Sequence, residues 1–377
     1  MSWEGFADQS RDAASGDTRW VYLFSSNIRE LYLKDIFEVL AAPMGAHCRF
    51  RYEFKYVSGD LRDTWRRNGF VGRTGLVLFS MQHPEGFHTP VFLPIRQIRI
   101  EETLAEGKLY VVRFSVMEYL TLKDPHASEL RVTGVKEGRL RAERTRNYTE
   151  KIQKDLGAEG NPDSGVSAAL GPAPVDLLSA STDTASDFTR VVSFLTPMLS
   201  PRSAVFWRIS GISAGDRSRE VKLDRDGSLP LWAGEAYRIE IAHFSVTAPG
   251  QGWRVSVSAP ECVPCVGQAE IRIKSRYDLT PTRFFAKARD SSIETQIVFE
   301  TIADDIGPTV RLPVRVRPPF AQSLSSVLLA AGGAMALAFP GILASDNNLG
   351  WRVGIGVLGA CLAAAGFVLR RGRGLPT

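Results

Sequence analysis

The chain contains few residues of the kinds that bind metals or carry out catalysis. Only 4 cysteines and 5 histidines occur among its 377 residues. The phosphate-binding pattern G-x-x-x-x-G-K-[ST] and the zinc-protease pattern H-E-x-x-H are both missing from the sequence. No histidine stands beside an obvious nucleophile and an orienting acid. We therefore expect a protein that is not an enzyme and that holds no metal and no cofactor.

Two of the cysteines, Cys262 and Cys265, have the spacing of zinc and redox sites. A tetrahedral zinc site needs two further ligands, and a thioredoxin-like site needs a following helix in a βαβ unit. Neither context is present around these residues. The spacing therefore predicts a β-turn that carries two free thiols.

No single sign of charge dominates the composition. The chain has 46 Lys and Arg residues against 41 Asp and Glu residues, which leaves a net charge of +5. Such a small excess does not indicate binding to nucleic acid. The 44% hydrophobic and 23% charged residues are typical of a globular protein. Because single cores stop growing near about 250–300 residues, the length predicts more than one domain.

Charge is almost absent from the C-terminal part of the chain. Residues 324–344 and 353–369 are two uncharged runs separated by a short polar stretch. About 20 apolar residues in a helix span the hydrocarbon core of a membrane, so the pattern predicts a transmembrane helical hairpin over 321–370. The alternative is a pair of buried helices in a soluble core, but neither run has the polar stripe of such helices.

Basic residues flank the predicted hairpin and indicate its orientation. Three arginines precede the first run, three (Arg370, Arg371 and Arg373) follow the second, and Trp351 stands at the edge of the connecting loop as an aromatic anchor. The arginines assigned to the membrane interface are Arg311, Arg315, Arg317, Arg370 and Arg371. Residues 1–18 are polar, are expected to be disordered and lack the apolar region of a signal peptide. We therefore expect both termini, including the tail 371–377, on the cytoplasmic side of a bacterial inner membrane.

Small residues recur every four positions on one face of each predicted membrane helix. Such faces let helix backbones approach closely in lipid. They serve either to pack the hairpin itself or to build a homo-oligomer from several hairpins. The residues are Gly332, Ala336, Gly356, Ala360 and Ala364.

The region 19–156 is predicted to be an α+β domain. An apolar run at 20–24 reads as a strand, and apolar residues at helical spacing follow over 28–42. Alternating segments come next at 48–57, 75–81, 90–100 and 108–120, with turn residues between them. The pattern favours a small, mostly antiparallel sheet or a partly open barrel with one helix packed on it.

The region 157–188 has no aromatic residue before position 188, is rich in Gly, Pro, Ser, Ala and Asp, and is predicted to be a flexible linker. Over 189–319, seven or eight short strands at close spacing then indicate a β-sandwich. Their number and alternation resemble an immunoglobulin-like domain in architecture only, because the paired cysteines around a core tryptophan are missing.

One candidate binding site lies in the α+β domain. Arg49, Arg51 and Lys55 share one face of the strand 48–57, with Arg66 and Arg67 close behind, and aromatic residues are interleaved with them. Guanidinium groups beside aromatic rings suit an anion or a nucleotide. The alternative is an ordinary solvated sheet face, because acidic residues such as Glu53 dilute the positive charge.

Two functional hypotheses follow from the order of these parts. The first is a membrane-anchored recognition or scaffold protein that binds a protein partner or a small phosphorylated ligand at the inner face of the bilayer. The second is a ligand-triggered, toxin-like or defence effector that oligomerises through its hairpin and disrupts the membrane.

Overall fold

The computed structural model describes most of the chain between residues 19 and 319. The described residues are 19–26, 30–65, 70–81, 91–122, 149–152, 154–155, 168–173, 178–180, 188–189, 191–193, 195–196, 205–215, 219–244, 253–273, 277–287, 291–302, 307–319, 328, 358–359 and 361. Within them the protein is mostly β-structure, arranged in three sheets with short helices.

The first sheet has seven strands and belongs to the N-terminal domain. Its strands are β1 (Trp20–Ser26), β2 (His47–Glu53), β3 (Thr74–Met81), β4 (Val91–Glu106), β5 (Leu109–Leu122), β6 (Ala168–Gly171) and β7 (Leu178–Ala180). The strand order is β2-β5-β4-β3-β1-β6, and β7 pairs with β5. Only the pairing of β1 with β3 is parallel among these strands.

The helix predicted at 28–42 is present as α1 (Glu30–Ala41). Leu33, Ile36, Phe37 and Leu40 recur at helical spacing and are buried against the sheet. A second, shorter helix, α2 (Gly59–Trp65), was not expected from the sequence and follows a 3-10 turn at Phe54–Tyr56. Its first turn is capped by Ser58, whose Oγ accepts a hydrogen bond from the Leu61 amide at 3.3 Å.

The two faces of the first sheet differ in character. One face packs against α1 and residues such as Phe188 and Val192, and it forms the main core of the domain. The opposite face carries a smaller apolar cluster over β1 and β3, built around Tyr22 and Leu76. Over β2, β5 and the C-terminal half of β4, this second face bears charged side chains instead.

Two strands of the first sheet lie in the segment 157–188 that was predicted to be a flexible linker. Ala168–Gly171 pairs with β1, and Leu178–Ala180 pairs with β5. The Tyr22 hydroxyl also donates to the carbonyl of Pro172 at 2.6 Å. Low aromatic content did not prevent this ordering, because small side chains at 168–170 fit closely beside β1 and are buried. The other residues of this segment lie largely outside the described part.

The second and third sheets share one core. The second contains β10 (Leu229–Trp232), β12 (Arg254–Ser258), β14 (Glu270–Arg272), β16 (Ile293–Ile302) and β17 (Thr309–Arg317). The third contains β8 (Phe206–Ala214), β9 (Arg219–Glu220), β11 (Ala236–Phe244), β13 (Cys265–Val266) and β15 (Tyr277–Phe285).

The strand order is β10-β17-β16-β12-β14 in the second sheet and β13-β15-β11-β8-β9 in the third. Trp207 and Phe284 of the third sheet both pack on Phe299 of the second, with ring centroids 6.3 Å apart. The arrangement is compatible with the predicted β-sandwich.

The two domains meet at α1. The Phe37 ring packs edge-to-face on Phe206 of β8, with centroids 5.0 Å apart, and Ala41 is buried in the core of the sandwich. The turn after α1 continues the contact, because the side chain of Leu223 lies against Gly45. We call this region the domain joint.

The predicted transmembrane hairpin requires a correction. No helix among the described residues is both long and apolar enough to cross a membrane. The predicted spans 324–344 and 353–369 lie outside the described part, apart from Leu328, Leu358, Gly359 and Cys361. This finding overturns the hairpin and the inner-membrane location inferred from it. The prediction rested on hydropathy and length alone, which do not by themselves determine what an apolar segment packs against.

Candidate functional site

The most distinctive surface of the N-terminal domain lies on the sheet face opposite α1. In β2, the side chains of Cys48, Phe50 and Tyr52 point into the core, so Arg49 and Arg51 point outward and are exposed. Neighbouring strands contribute further charged groups to this face. We call it the charged sheet face, and it consists of Arg49, Arg51, Arg99, Glu101, Glu102, Glu106 and Arg113.

The pairing of β2, β4 and β5 brings charged side chains of both signs together on this face. Arg49 lies directly opposite Arg113, an unfavourable pairing of like charges. Carboxylates from β4 compensate: Glu106 forms an ion pair with Arg49, and Glu102 forms one with Arg113 at 3.1 Å. The face is therefore a cross-strand lattice of mixed charge.

A β-bulge in β4 places two consecutive acids in this lattice. The register shifts between Ile100 and Glu102, and the bulge redirects side chains locally. The Glu101 carboxylate accepts a hydrogen bond from the Ser115 hydroxyl at 2.7 Å and lies 3.9 Å from the Arg99 guanidinium. Without the bulge, Glu101 and Glu102 would point to opposite faces of the sheet.

Ion pairs with carboxylates neutralise two residues of the predicted basic site. Arg49 is bound to Glu106, and Lys55 pairs with Glu53 at 2.8 Å while its ammonium lies 4.6 Å above the Tyr56 ring. In the described part of the chain, Arg51 has no carboxylate within ion-pair distance, although its charge opposes the rise in the pKa of Asp35. Arg66 and Arg67 lie outside the described residues. The structure thus places a mixed-charge surface where the sequence predicted a basic one.

The arginines assigned to a membrane interface lie on the outer face of the sandwich. Arg315 pairs with Glu294 at 2.9 Å and with Asp226, and Arg317 pairs with Asp224. Hydrogen bonds from the hydroxyl and amide of Ser228, followed by those from Arg315, lower the pKa of Asp226 to about 2.

These ion pairs stabilise the turn that precedes β10. The interface role depended on the hairpin and is corrected with it. The other residues predicted for the membrane interface, and those predicted to pack the membrane helices, lie outside the described part: Trp351, Arg370, Arg371, Gly332, Ala336, Gly356, Ala360 and Ala364.

A buried arginine closes the C-terminal end of α1. Arg96 is 3% exposed, and its guanidinium donates to the carbonyls of Ala42 at 2.9 Å and Met117 at 3.0 Å. It also lies 4.1 Å from the centre of the Tyr119 ring, and the Tyr119 hydroxyl donates to the carbonyl of Leu40. These donors satisfy carbonyls that a helix end leaves without partners, and a cation there is favoured by the helix dipole.

Two carboxylates of α1, Asp35 and Glu38, are partly buried. Burial, together with the carboxylate of Glu38, raises the pKa of Asp35 to about 7, and Arg51 opposes this shift. Burial also raises the pKa of Glu38, whereas Arg311 of β17 lowers it. A helix is predicted over this segment, but its pattern does not indicate that both carboxylates are partly buried.

The described residues do not assemble a metal centre. No group of three or more His, Cys, Asp or Glu side chains is placed to hold a metal ion in this part of the chain. Cys262 lies in a turn and Cys265 begins β13; both are free thiols, and burial raises the pKa of Cys265. A G-x-S-x-G pattern at 211–215 lies within and just after β8, where Ser213 pairs with Arg238. It therefore lacks the strand-to-helix turn that exposes a nucleophilic serine.

No family model matches the chain, and no curated protein is significantly similar to it.

Proposed function

We propose that this chain is a recognition protein that binds a protein partner through the charged sheet face. The observation that supports this function is the lattice of exposed, opposite charges on β2, β4 and β5, held in place by a rigid sheet. Complementary charge patterns steer association and exclude partners of the wrong pattern. The proposal omits the membrane anchor, and the membrane-disrupting alternative is withdrawn because it required the hairpin.

A protein partner suits this surface better than a small phosphorylated ligand. A phosphate would have to displace Glu106 from Arg49, and Glu102 and Glu101 would repel it. Arg51 is the one member of the charged sheet face without an ion pair in the described part of the chain, and a single guanidinium makes a weak phosphate site. A partner with alternating charges can instead engage both signs at once.

Charge reversal tests the proposal. The wild-type chain, Arg113→Glu and Arg254→Glu are compared as baits for partner capture in the cells that express the protein. Arg254 is the matched control, because it forms an ion pair with Glu270 at 3.0 Å and is similarly exposed, but lies on the sandwich. We expect Arg113→Glu to lose a partner that wild type and Arg254→Glu retain.

Equal capture by all three baits would contradict the proposed surface. Titration of wild type and Arg51→Gln with inorganic phosphate and nucleotides separates the remaining alternative. Saturable binding that Arg51→Gln abolishes, without any captured protein, would favour a phosphorylated ligand instead.

A further inference from the structure

The outer strand β2 differs from every other edge strand in the described part of the chain. It has 7 residues, whereas the other edge strands, β6, β7, β9, β10, β13 and β14, have 2 to 4 residues each. Natural proteins usually keep an edge strand short or interrupt it with proline or a bulge, because an open edge can pair with another chain. β2 contains no proline, and its register with β5 runs without a break from His47 to Glu53. It therefore keeps the regular shape that an added strand requires.

The backbone groups of Arg49 and Arg51 point away from the sheet. Just beyond β2, the Phe54 amide donates to the carbonyl of Lys108, the residue directly opposite, at 3.1 Å. Because hydrogen-bonded residues alternate along an antiparallel strand, the even-numbered residues of β2 bond to β5 and the odd-numbered ones face outward. In the described part of the chain, neither arginine has a backbone partner on this outer side. The amides and carbonyls of both are therefore available to another strand.

The same two residues present their guanidinium groups on the charged sheet face. Both are exposed, and Arg49 pairs with Glu106, whereas Arg51 has no ion pair in the described part of the chain. Residues of an added antiparallel strand that lie opposite these arginines would have β-carbons about 4.5–5.5 Å from theirs, on the same face. A second copy of β2 would bring arginine close to arginine there, which is unfavourable. The edge is thus complementary to a strand with acidic side chains at those positions.

We propose that β2 binds an extended segment of the partner protein as an added antiparallel strand, and that acidic side chains at alternate positions of this segment pair with Arg51 and Arg49. The proposal rests on the recognition function proposed above and specifies the kind of partner that the charged sheet face takes. Backbone hydrogen bonds along β2 give such a strand its affinity, and its alternate side chains give specificity. The acid opposite Arg51 forms a new ion pair, whereas the acid opposite Arg49 competes with Glu106.

Peptides with blocked backbone amides test the strand addition on the full-length protein. The probe is a short synthetic peptide in which threonine and glutamate alternate, and its binding is followed by fluorescence anisotropy. With the glutamates opposite Arg49 and Arg51, their amides point at β2 and the threonine amides point away. We expect N-methylation of the glutamate amides to weaken binding by about tenfold or more, because it removes hydrogen bonds. N-methylation of the threonine amides is the matched control and should leave binding nearly unchanged.

Charge exchange tests the preference for acidic side chains. A peptide of alternating threonine and lysine should bind the wild-type chain about tenfold or more weakly than the glutamate peptide, because like charges then face each other. Arg51→Glu, at an exposed position, should reverse this order of affinities. Arg254→Glu on the sandwich should behave as wild type.

Hydrogen exchange locates the bound peptide. The amides of Arg49 and Arg51 have no partner in the described part of the chain, whereas the amide of Tyr52 faces β5. The glutamate peptide should therefore slow exchange at the two arginine amides by about tenfold or more and change that of Tyr52 little.

Three results would overturn the strand addition: no binding of the glutamate peptide, equal effects of the two N-methylations, or unchanged exchange at Arg49 and Arg51. Equal affinity for the glutamate and lysine peptides would overturn the acidic preference. Loss of a captured partner in Arg113→Glu would still support the recognition function in each of these cases, because Arg113 lies on β5 and not at the edge. Conversely, the expected peptide results with equal capture by all three baits would support the strand addition and contradict the wider surface.

Discussion

The ring of His47 fills the space that a β-carbon would need at Gly227, a residue of the other domain. A β-carbon built at Gly227 would lie 2.8 Å from the ring carbons of His47, closer than real contacts allow. Gly227 also has a positive φ of 76° in the turn before β10. This contact, together with Phe37 and Phe206, shows how closely the two domains are fitted at the joint.

Gly227→Ala should therefore destabilise the protein more than a comparable glycine elsewhere. Gly234 has a φ of 86° and open space around its Cβ position, so Gly234→Ala carries only the backbone strain of about 1–2 kcal/mol. The clash with His47 adds about 1–3 kcal/mol for an overpacked site. Urea unfolding of the two variants measures the difference, and equal losses would show that the His47 contact contributes little.

The buried guanidinium of Arg96 is expected to be a major stabilising group. Arg96→Met keeps much of the volume but leaves the carbonyls of Ala42 and Met117 without their donors. Each unsatisfied buried group costs about 1–3 kcal/mol, so we expect a loss of about 2–5 kcal/mol in unfolding free energy. Arg99→Met, an exposed position on the same strand, should change stability by less than about 0.5 kcal/mol. Similar values for both variants would argue against the capping role.

A hydrogen bond inside the sandwich supports its largest buried side chain. Trp207 Nε1 donates to Thr301 Oγ1 at 2.9 Å, and this hydroxyl donates in turn to the carbonyl of Pro308 at 3.1 Å. Thr301→Val keeps the shape and removes the acceptor, so we expect a cost of about 1–3 kcal/mol by thermal unfolding. Thr295→Val on the same strand is the control. Retained stability in Thr301→Val would mean that the indole finds another acceptor.

Protonation of Asp35 should be visible in thermal stability. Because burial raises the pKa of Asp35 to about 7, its ionised form is disfavoured in the folded chain. Asp35→Asn should therefore have a higher Tm than wild type at about pH 8, and the difference should be smaller at about pH 5, vanishing only below the ordinary pKa of 3.8. Differential scanning calorimetry at both pH values measures this, and a pH-independent difference would point to packing instead of charge.

Much of the N-terminal domain could be predicted from its periodicity. The helix over 28–42 and the strands near 48, 75, 91 and 109 lie close to the positions that alternation and helical spacing indicate. Side-chain pattern is a strong signal where one face is buried. The short helix α2 was missed because seven residues give too little periodicity, and β6 and β7 because small side chains carry little hydrophobic signal.

The charged sheet face could be predicted only in part. Sequence alternation correctly places Arg49 and Arg51 on the outward side of β2. It does not show that Glu106 and Glu102 arrive from another strand, because that depends on register and on the bulge near Glu101. Pairing between distant residues is the information that a local pattern lacks.

Carboxyl footprinting of the chain with its captured partner tests the recognition function most directly. Carbodiimide-activated labelling of Glu101, Glu102 and Glu106 is quantified by mass spectrometry with and without the partner, and Glu270 on the sandwich serves as the reference. The account predicts slower labelling of the three acids on the charged sheet face and no change at Glu270. Unchanged labelling of those acids, with protection only on the sandwich, would contradict it.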